Sequence, residues 1–203
     1  MLKKLILGFI ILLFCACNDE KIDENILSKG TKTTEQYKQD ANNLDLNSYK
    51  EIAEFFKDNQ NIVFSDKPVL IIFSANNCVY CDKLKHEIQN DKEVQNILKN
   101  TYNSYYINTS YHKIHNYDNK KTSTEELSRE FNIDATPTLV FFTPKHKTLL
   151  IYPGFMSAKR LALTMEILKD EKNQKLNEDE LFKTLFLAYK EKKCLRKSFF
   201  PFG

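Results

Sequence analysis

Tryptophan is absent from this 203-residue sequence, glycine occurs only four times and proline five. So little glycine excludes a collagen-like or loop-dominated chain, and aromatic packing has to come from the 15 phenylalanines and 10 tyrosines. A surplus of one charge is missing too. Thirty Lys and Arg against 27 Asp and Glu leave a formal charge of +3. The charges are interspersed, so no basic stripe marks a nucleic-acid partner, and none is expected. Hydrophobic residues at 42% suffice for one core, and the length fits one ordinary domain with accessory ends. No internal repeat occurs.

The first sixteen residues differ from the rest. Lys3 and Lys4 form a short positive region, and Leu5 to Phe14 is apolar throughout if Gly8 counts as neutral. Such a stretch is too short for a comfortable membrane span and reads as a secretory signal over residues 1–16. Phe14-Cys15-Ala16-Cys17 then resembles a bacterial lipobox, which implies lipid attachment to Cys17 and cleavage before it. The expected location is the periplasmic side of a bacterial membrane, with the lipid as membrane contact. Residues 17–45 are rich in Asp, Glu, Lys, Asn and Thr, and are expected to be a flexible tether.

Export sharpens the cysteine count. Cys15 would leave with the signal and Cys17 would carry lipid, so Cys78, Cys81 and Cys194 remain as thiols where disulfides persist. Cys78 and Cys81 close too small a loop to staple a domain. A reactive pair is the better reading.

Periodicity from Leu46 onward alternates helices and strands. Tyr49, Ile52, Ala53, Phe55 and Phe56 recur at helical spacing. Val69 to Phe73 is a continuous apolar run after Pro68, suited to a strand buried on both faces. A helix is expected from about Cys78 to Gln89, a second short one to Lys99, and a strand at Tyr105–Ile107. Thr109 to Lys121 reads as a polar loop. Ser123 and Glu126 form a capping box that opens a helix through Phe131. Thr138–Phe142 and Thr148–Tyr152 read as a strand pair, Ser157 as the cap of the next helix, and Asn177 to Lys193 as a further C-terminal helix. The pattern predicts an α/β fold with a mixed central sheet covered by helices on both faces. Its domain is expected over 46–170, with 171–203 as a helical appendage and tail.

The spacing of the cysteine pair has a chemical consequence. At the first turn of a helix, unpaired N–H groups and the helix dipole stabilise the Cys78 thiolate and make it the attacking sulfur. Cys81, three residues on and on the same face, can resolve a mixed disulfide. Zinc sites use the same spacing, so the context matters: this pair follows a buried strand and opens a helix.

Ser74-Ala75-Asn76-Asn77-Cys78-Val79-Tyr80-Cys81 and Asp134-Ala135-Thr136-Pro137-Thr138-Leu139-Val140-Phe141-Phe142 together resemble the active-site turn and the cis-proline loop of the thioredoxin superfamily. The likeness is greatest to exported thioredoxin-like lipoproteins associated with sulfur oxidation (SoxW-like). It implies a thioredoxin fold, a cis Thr136–Pro137 bond facing Cys78, and client contacts through Thr136, Pro137, Val79 and Tyr80. It also implies thiol–disulfide oxidoreductase activity on client protein disulfides, with reduction the expected direction and disulfide isomerisation or oxidation, or a non-catalytic thiol- or metal-binding lipoprotein, as alternatives. Because cytoplasmic reductases do not reach an exported protein, a membrane thiol donor is the expected source of electrons. No cofactor beyond the Cys78–Cys81 pair is expected, and no metal. Cytoplasmic thioredoxins carry Gly-Pro where Val79-Tyr80 stands, and two further positions depart from them. Asn77 stands where they carry Trp, and Ile72 where they carry a buried Asp that serves the second thiol.

The remaining signals are weaker. His112 and His115 could join the cysteines in a metal site, but surface-loop histidines are the expected reading. Lys83 and Glu87 read as solvated surface charges. Cys194 and Phe199-Phe200-Pro201-Phe202 have no assigned role.

Overall fold

The structure, a computed structural model, describes residues 34–192. The signal-like segment, Cys17, Cys194 and the Phe199–Phe202 tail lie outside the described residues.

The central strand explains the core. Strand β2 (Val69–Ser74) is buried along its whole length, as an uninterrupted apolar run with no polar face requires. Its side chains alternate between two hydrophobic clusters. Leu70 and Ile72 enter one, against Leu84 and Ile88 of α2 (Val79–Asn90), and Leu161 and Met165 of α5 (Ala158–Leu168). Leu181 and Leu185 of α6 (Glu178–Glu191) extend that cluster. Val69, Ile71 and Phe73 enter the other, against Leu127 of α4 (Thr124–Glu130) and Phe131. Each such buried side chain contributes about 1.5–3 kcal/mol.

Strand β2 pairs in parallel with β3 (Asn103–Asn108) and antiparallel with β6 (Thr138–Phe142), which pairs antiparallel with β7 (Thr148–Pro153). The order β3-β2-β6-β7 is the expected mixed sheet. After α2, α3 (Lys92–Asn96) continues into a π turn at Ile97–Thr101 before β3. The break at Asn90–Asp91 is held by Asp91, whose carboxylate caps the Val94 N–H at 3.0 Å.

Three segments differ from the sequence reading. Residues 34–45, read as tether, belong to α1 (Thr34–Asn47). Its end is docked through Asp45, which is 1% exposed. A polar anchor leaves no apolar periodicity to find. The stretch Lys50–Phe55 is a short 3-10 helix rather than a full amphipathic one. The third difference is the largest: Thr109–Lys121, read as loop, contains β4 (Ile114–Tyr117), and β5 (Lys120–Ser123) follows. With β1 (Asn61–Ile62) they form a second sheet of order β1-β4-β5. Its turn uses Asp118 and Asn119 at φ 49° and 66°, the left-handed pair that a tight hairpin needs and that Asp and Asn tolerate without glycine. Tyr117 alone carries the strand's apolar contact, joining the second cluster.

Ion pairing and hydrogen bonds fasten this small sheet to α1. Lys113 Nζ lies 3.1 Å from Asp45 Oδ2 and also donates to Asn59 Oδ1. Asp45 accepts further from the Asn59 amide at 2.7 Å and the Asn108 backbone N–H at 3.0 Å. His115 belongs to the same interior, fully buried rather than on a surface loop. Its Nδ1 must donate to the Asn59 carbonyl at 2.7 Å, because that oxygen only accepts, while Nε2 meets the Thr124 hydroxyl at 3.0 Å.

Burial, which opposes the imidazolium, lowers the His115 pKa below the ordinary imidazole value of 6.5. The unfolded chain therefore binds a proton that the folded chain refuses as pH falls below that value. Stability is present above pH 6.5 and is lost on acidification. The His115 contribution is expected to make urea midpoints fall between pH 7 and pH 5, and His115→Gln to flatten that slope; a slope unchanged by the substitution would contradict the assignment.

Candidate active site

Cys78 is the N-cap of α2, with extended backbone at φ −100° and ψ 98°. Its Sγ accepts from the Cys81 N–H at 3.1 Å, one of the donors that a helix start leaves unpaired. Cys81 lies in the first turn, with a Cα–Cα distance of 5.2 Å, and the two sulfurs form a disulfide. The pair is asymmetric: Cys78 is half-buried, whereas Cys81 is 1% exposed. An incoming thiol or disulfide can reach Cys78 alone.

The turn that delivers Cys78 is strained and braced. Asn77 has φ 55°, a left-handed conformation that Asn adopts more readily than most side chains. Beside it, Asn76 is held from three directions. Its backbone N–H donates to Ser110 Oγ at 2.9 Å, its side-chain Nδ2 donates to the Tyr111 hydroxyl at 3.1 Å, and its side-chain Oδ1 accepts from Asn108 Nδ2 at 2.8 Å. Sequence reasoning missed Asn76, Asn108, Ser110 and Tyr111 as supports. The only signal was an Asn-rich turn next to a polar segment.

The Thr136–Pro137 bond is cis. Thr136 packs against Cys78, its Oγ1 and its carbonyl oxygen each 3.4 Å from Cys78 Sγ. The Pro137 carbonyl accepts from the Gly154 N–H at 2.7 Å, and Gly154 has φ 98°, a region costly for any side chain. This places Phe155 next to the loop. Its ring lies 6.5 Å from that of Tyr80, and Lys83 Nζ is 4.5 Å from its centroid. Val79 and Tyr80 are 78% and 61% exposed. The structure thus gathers Cys78, Cys81, Thr136 and Pro137 at one place, with Val79 and Tyr80 on the open rim.

Lys83 and Glu87 are not merely solvated. Lys83 covers Phe155, and Glu87 Oε2 accepts the Ala158 N–H at 2.8 Å. That carboxylate supplies the cap of α5 expected from Ser157, whose side chain makes no capping bond. Ile72 is fully buried opposite Tyr106 of β3. Burial raises the Tyr106 pKa well above the ordinary phenol value, and the nearby Ser74 side chain only partly opposes that shift. His112 is exposed and pairs with Glu125 at 2.7 Å. His146, isolated in the sequence, contacts Tyr117 at 2.6 Å and Asp118 at 3.1 Å. Among the described residues, no group of three His, Cys, Asp or Glu is placed to hold a metal ion.

Comparison with known proteins identifies the family. A thioredoxin-fold protein from Helicobacter pylori is 34% identical, aligning over 75% of this chain and 100% of that one with a TM-score of 0.70. A thioredoxin-like protein from Clostridium perfringens is 18% identical over 58% of this chain and 85% of its own, with a TM-score of 0.40. A disulphide isomerase from Xylella fastidiosa is 18% identical over 60% and 78%, at a TM-score of 0.34. No curated protein matches the sequence significantly. The thioredoxin-like domain family matches residues 55–169. With its helix-capping Cys-x-x-Cys disulfide and facing cis-proline, the chain belongs to the thioredoxin-like family.

Proposed function

We propose that the chain is an exported thiol–disulfide oxidoreductase that reduces disulfides in client proteins by dithiol exchange. The observation that carries this reading is the asymmetry of the pair: an accessible Cys78 at a helix N-terminus, and a buried Cys81 behind it. Cys78 thiolate attacks one client sulfur, forming a mixed disulfide and releasing the other sulfur as thiolate. Cys81 then attacks Cys78 Sγ and frees the second client sulfur. Two electrons pass from the pair to the client. Thr136 hydroxyl and the Cys81 N–H are the donors available to the Cys78 thiolate. Val79, Tyr80 and the Thr136–Pro137 loop receive the extended client segment, as an added strand would be received. The pair is the redox group itself, with no other cofactor.

The anchoring half of the proposal rests on Lys3, Lys4, the apolar Leu5–Phe14 and Cys17. Placed by a lipid on the periplasmic side, the pair would be re-reduced by a membrane thiol donor, since cytoplasmic reductases do not reach that compartment.

Direction is tested by the Cys78–Cys81 reduction potential, measured by equilibration with glutathione, together with acid trapping of the redox state in cells. A reductase is expected to be as reducing as thioredoxin, about −270 mV, and found as the dithiol. A potential near −120 mV, the range of strong oxidants, with the disulfide trapped in cells, would replace reduction by oxidation.

A further inference from the structure

Resolution requires Cys81 to lose its proton, yet a thiol 1% exposed ionises poorly because burial disfavours the charged form. No acid group stands at Ile72 to help. The fold places a different charge on the wall of the cavity that Cys81 borders. Cys81 borders a cavity of ≈ 400 Å³ whose walls include Ser48, Ser74, Asp82, Lys85 and Tyr111. Lys85 lies four residues after Cys81, on the same face of α2.

Its ammonium is fixed rather than free. Nζ lies 3.0 Å from Glu51 Oε1, 3.1 Å from Asp82 Oδ1 and 3.0 Å from the Ser48 carbonyl, and the side chain is 16% exposed. Burial works against the charge, but the Glu51 and Asp82 hydrogen bonds outweigh it, so the Lys85 pKa is raised. The surrounding charges can be named element by element. Glu51 comes from the 3-10 helix and Asp82 from α2 itself. The end of α1 brings Asn47 and Ser48 to the cavity, with Asp45 one turn earlier and engaged by Lys113. From β3, the phenol of Tyr106 feels Glu51, Asp82 and Asp45. The α5 side meets α2 through Phe155 and Ala158, which engage Lys83 and Glu87. Asp91, which caps α3, and Lys92 and Glu93 of α3 follow the far end of α2.

We propose that Lys85 is a positioning residue for the resolving step: its fixed ammonium favours the Cys81 thiolate across the shared cavity, and Glu51 and Asp82 set how much of that charge Cys81 feels. This rests on the dithiol-exchange reading above. The step balances as Cys81 thiol plus the Cys78–client disulfide giving the Cys78–Cys81 disulfide, a client thiolate and one proton, which passes to solvent through the cavity. The client disulfide is the oxidant.

The proposal makes predictions of opposite sign for neighbouring substitutions. Removing Lys85 deletes a positive charge and leaves two carboxylates unpaired, so Lys85→Met raises the pH at which Cys81 becomes reactive. Asp82→Asn or Glu51→Gln leaves Lys85 less neutralised and lowers it. Shifts of about one pH unit are expected. Lys85→Arg restores the parent profile.

The test uses the full-length reduced chain with Cys15, Cys17 and Cys194 replaced by Ser, mixed in stopped flow with substoichiometric 5,5′-dithiobis(2-nitrobenzoate). The first release of thionitrobenzoate reports Cys78 attack, and the second reports Cys81 resolving the mixed disulfide. The expected result is a second phase whose pH midpoint moves up in Lys85→Met, down in Asp82→Asn and Glu51→Gln, and back in Lys85→Arg. A second-phase midpoint unmoved by Lys85→Met, or one displaced in the same direction by all three substitutions, overturns the role of Lys85. Absence of the first phase in the parent chain instead overturns the exchange reading itself. Should Lys85→Met fail to fold, Lys85→Gln takes its place: an upward shift of the second-phase midpoint supports the proposal, and an unmoved midpoint overturns it.

Discussion

Cys78→Ser is expected to abolish disulfide reduction, leaving insulin turbidity in dithiothreitol at the uncatalysed rate. A hydroxyl cannot form the mixed disulfide, and the second thiol, 1% exposed, cannot take over the first attack. Cys81→Ser has a different outcome. The attacking sulfur keeps its helix position and the Thr136 hydroxyl, so it still reacts. Without a resolving thiol, the covalent client complex accumulates and is visible as a higher-mass band on non-reducing gels. Turnover in Cys81→Ser equal to the parent would mean that client or solvent thiols resolve the intermediate, and would remove Cys81 from the mechanism. If Cys78→Ser retained reduction, the nucleophile assignment would be wrong.

The second large effect is on stability. Asp45→Ala leaves the Lys113 ammonium, 6% exposed, with Asn59 as its neighbour and no counter-ion. Breaking a buried pair from one side costs about 3–5 kcal/mol, because the remaining charge stays desolvated. In a chain of this size that corresponds to a fall in Tm of roughly 6–20 °C. Lys113→Met is expected to cost less than Asp45→Ala, since Asp45 would keep the Asn59 amide and the Asn108 N–H as donors. Urea unfolding of both variants checks the order. Equal losses would mean that the pair's mutual attraction, not the stranded ammonium, dominates. A loss under about 1 kcal/mol would put the pair in the class of surface salt bridges.

The pieces of the candidate site were legible in the sequence because each is a local pattern with a local cause. A five-residue apolar run announces β2, the cysteines follow it, and Ser123 and Glu126 form the expected capping box, with the Glu126 N–H 3.2 Å from Ser123 Oγ. What stayed hidden was held by polar contacts between distant residues. Asp45 is 68 positions from Lys113, and neither leaves a hydrophobic trace. Strand β4 alternates outward and inward, but one of its two inward residues is His115, so the alternation carries little apolar signal. Glu87 caps a helix that begins 71 residues later, a partnership no window of the sequence contains. The positions around Cys81 were hidden for the same reason. Lys85 reads as one more surface lysine until the 3-10 helix brings Glu51 beside it.

The Asp45 contact also bears on where the folding unit begins. The family match starts at residue 55, but Asp45, Tyr49 and Ile52 are already buried against β3 and the small sheet. A chain cut at that boundary would keep every residue of the redox pair and its proline loop, yet strand the Lys113 ammonium and uncap the Asn108 N–H. Asn108 in turn holds Asn76, two residues from Cys78. The piece that keeps these contacts is therefore longer than the segment the family match covers. Its extra length reaches the turn before Cys78 through two hydrogen bonds, one from the Asn108 N–H to the Asp45 carboxylate and one from the Asn108 side chain to Asn76.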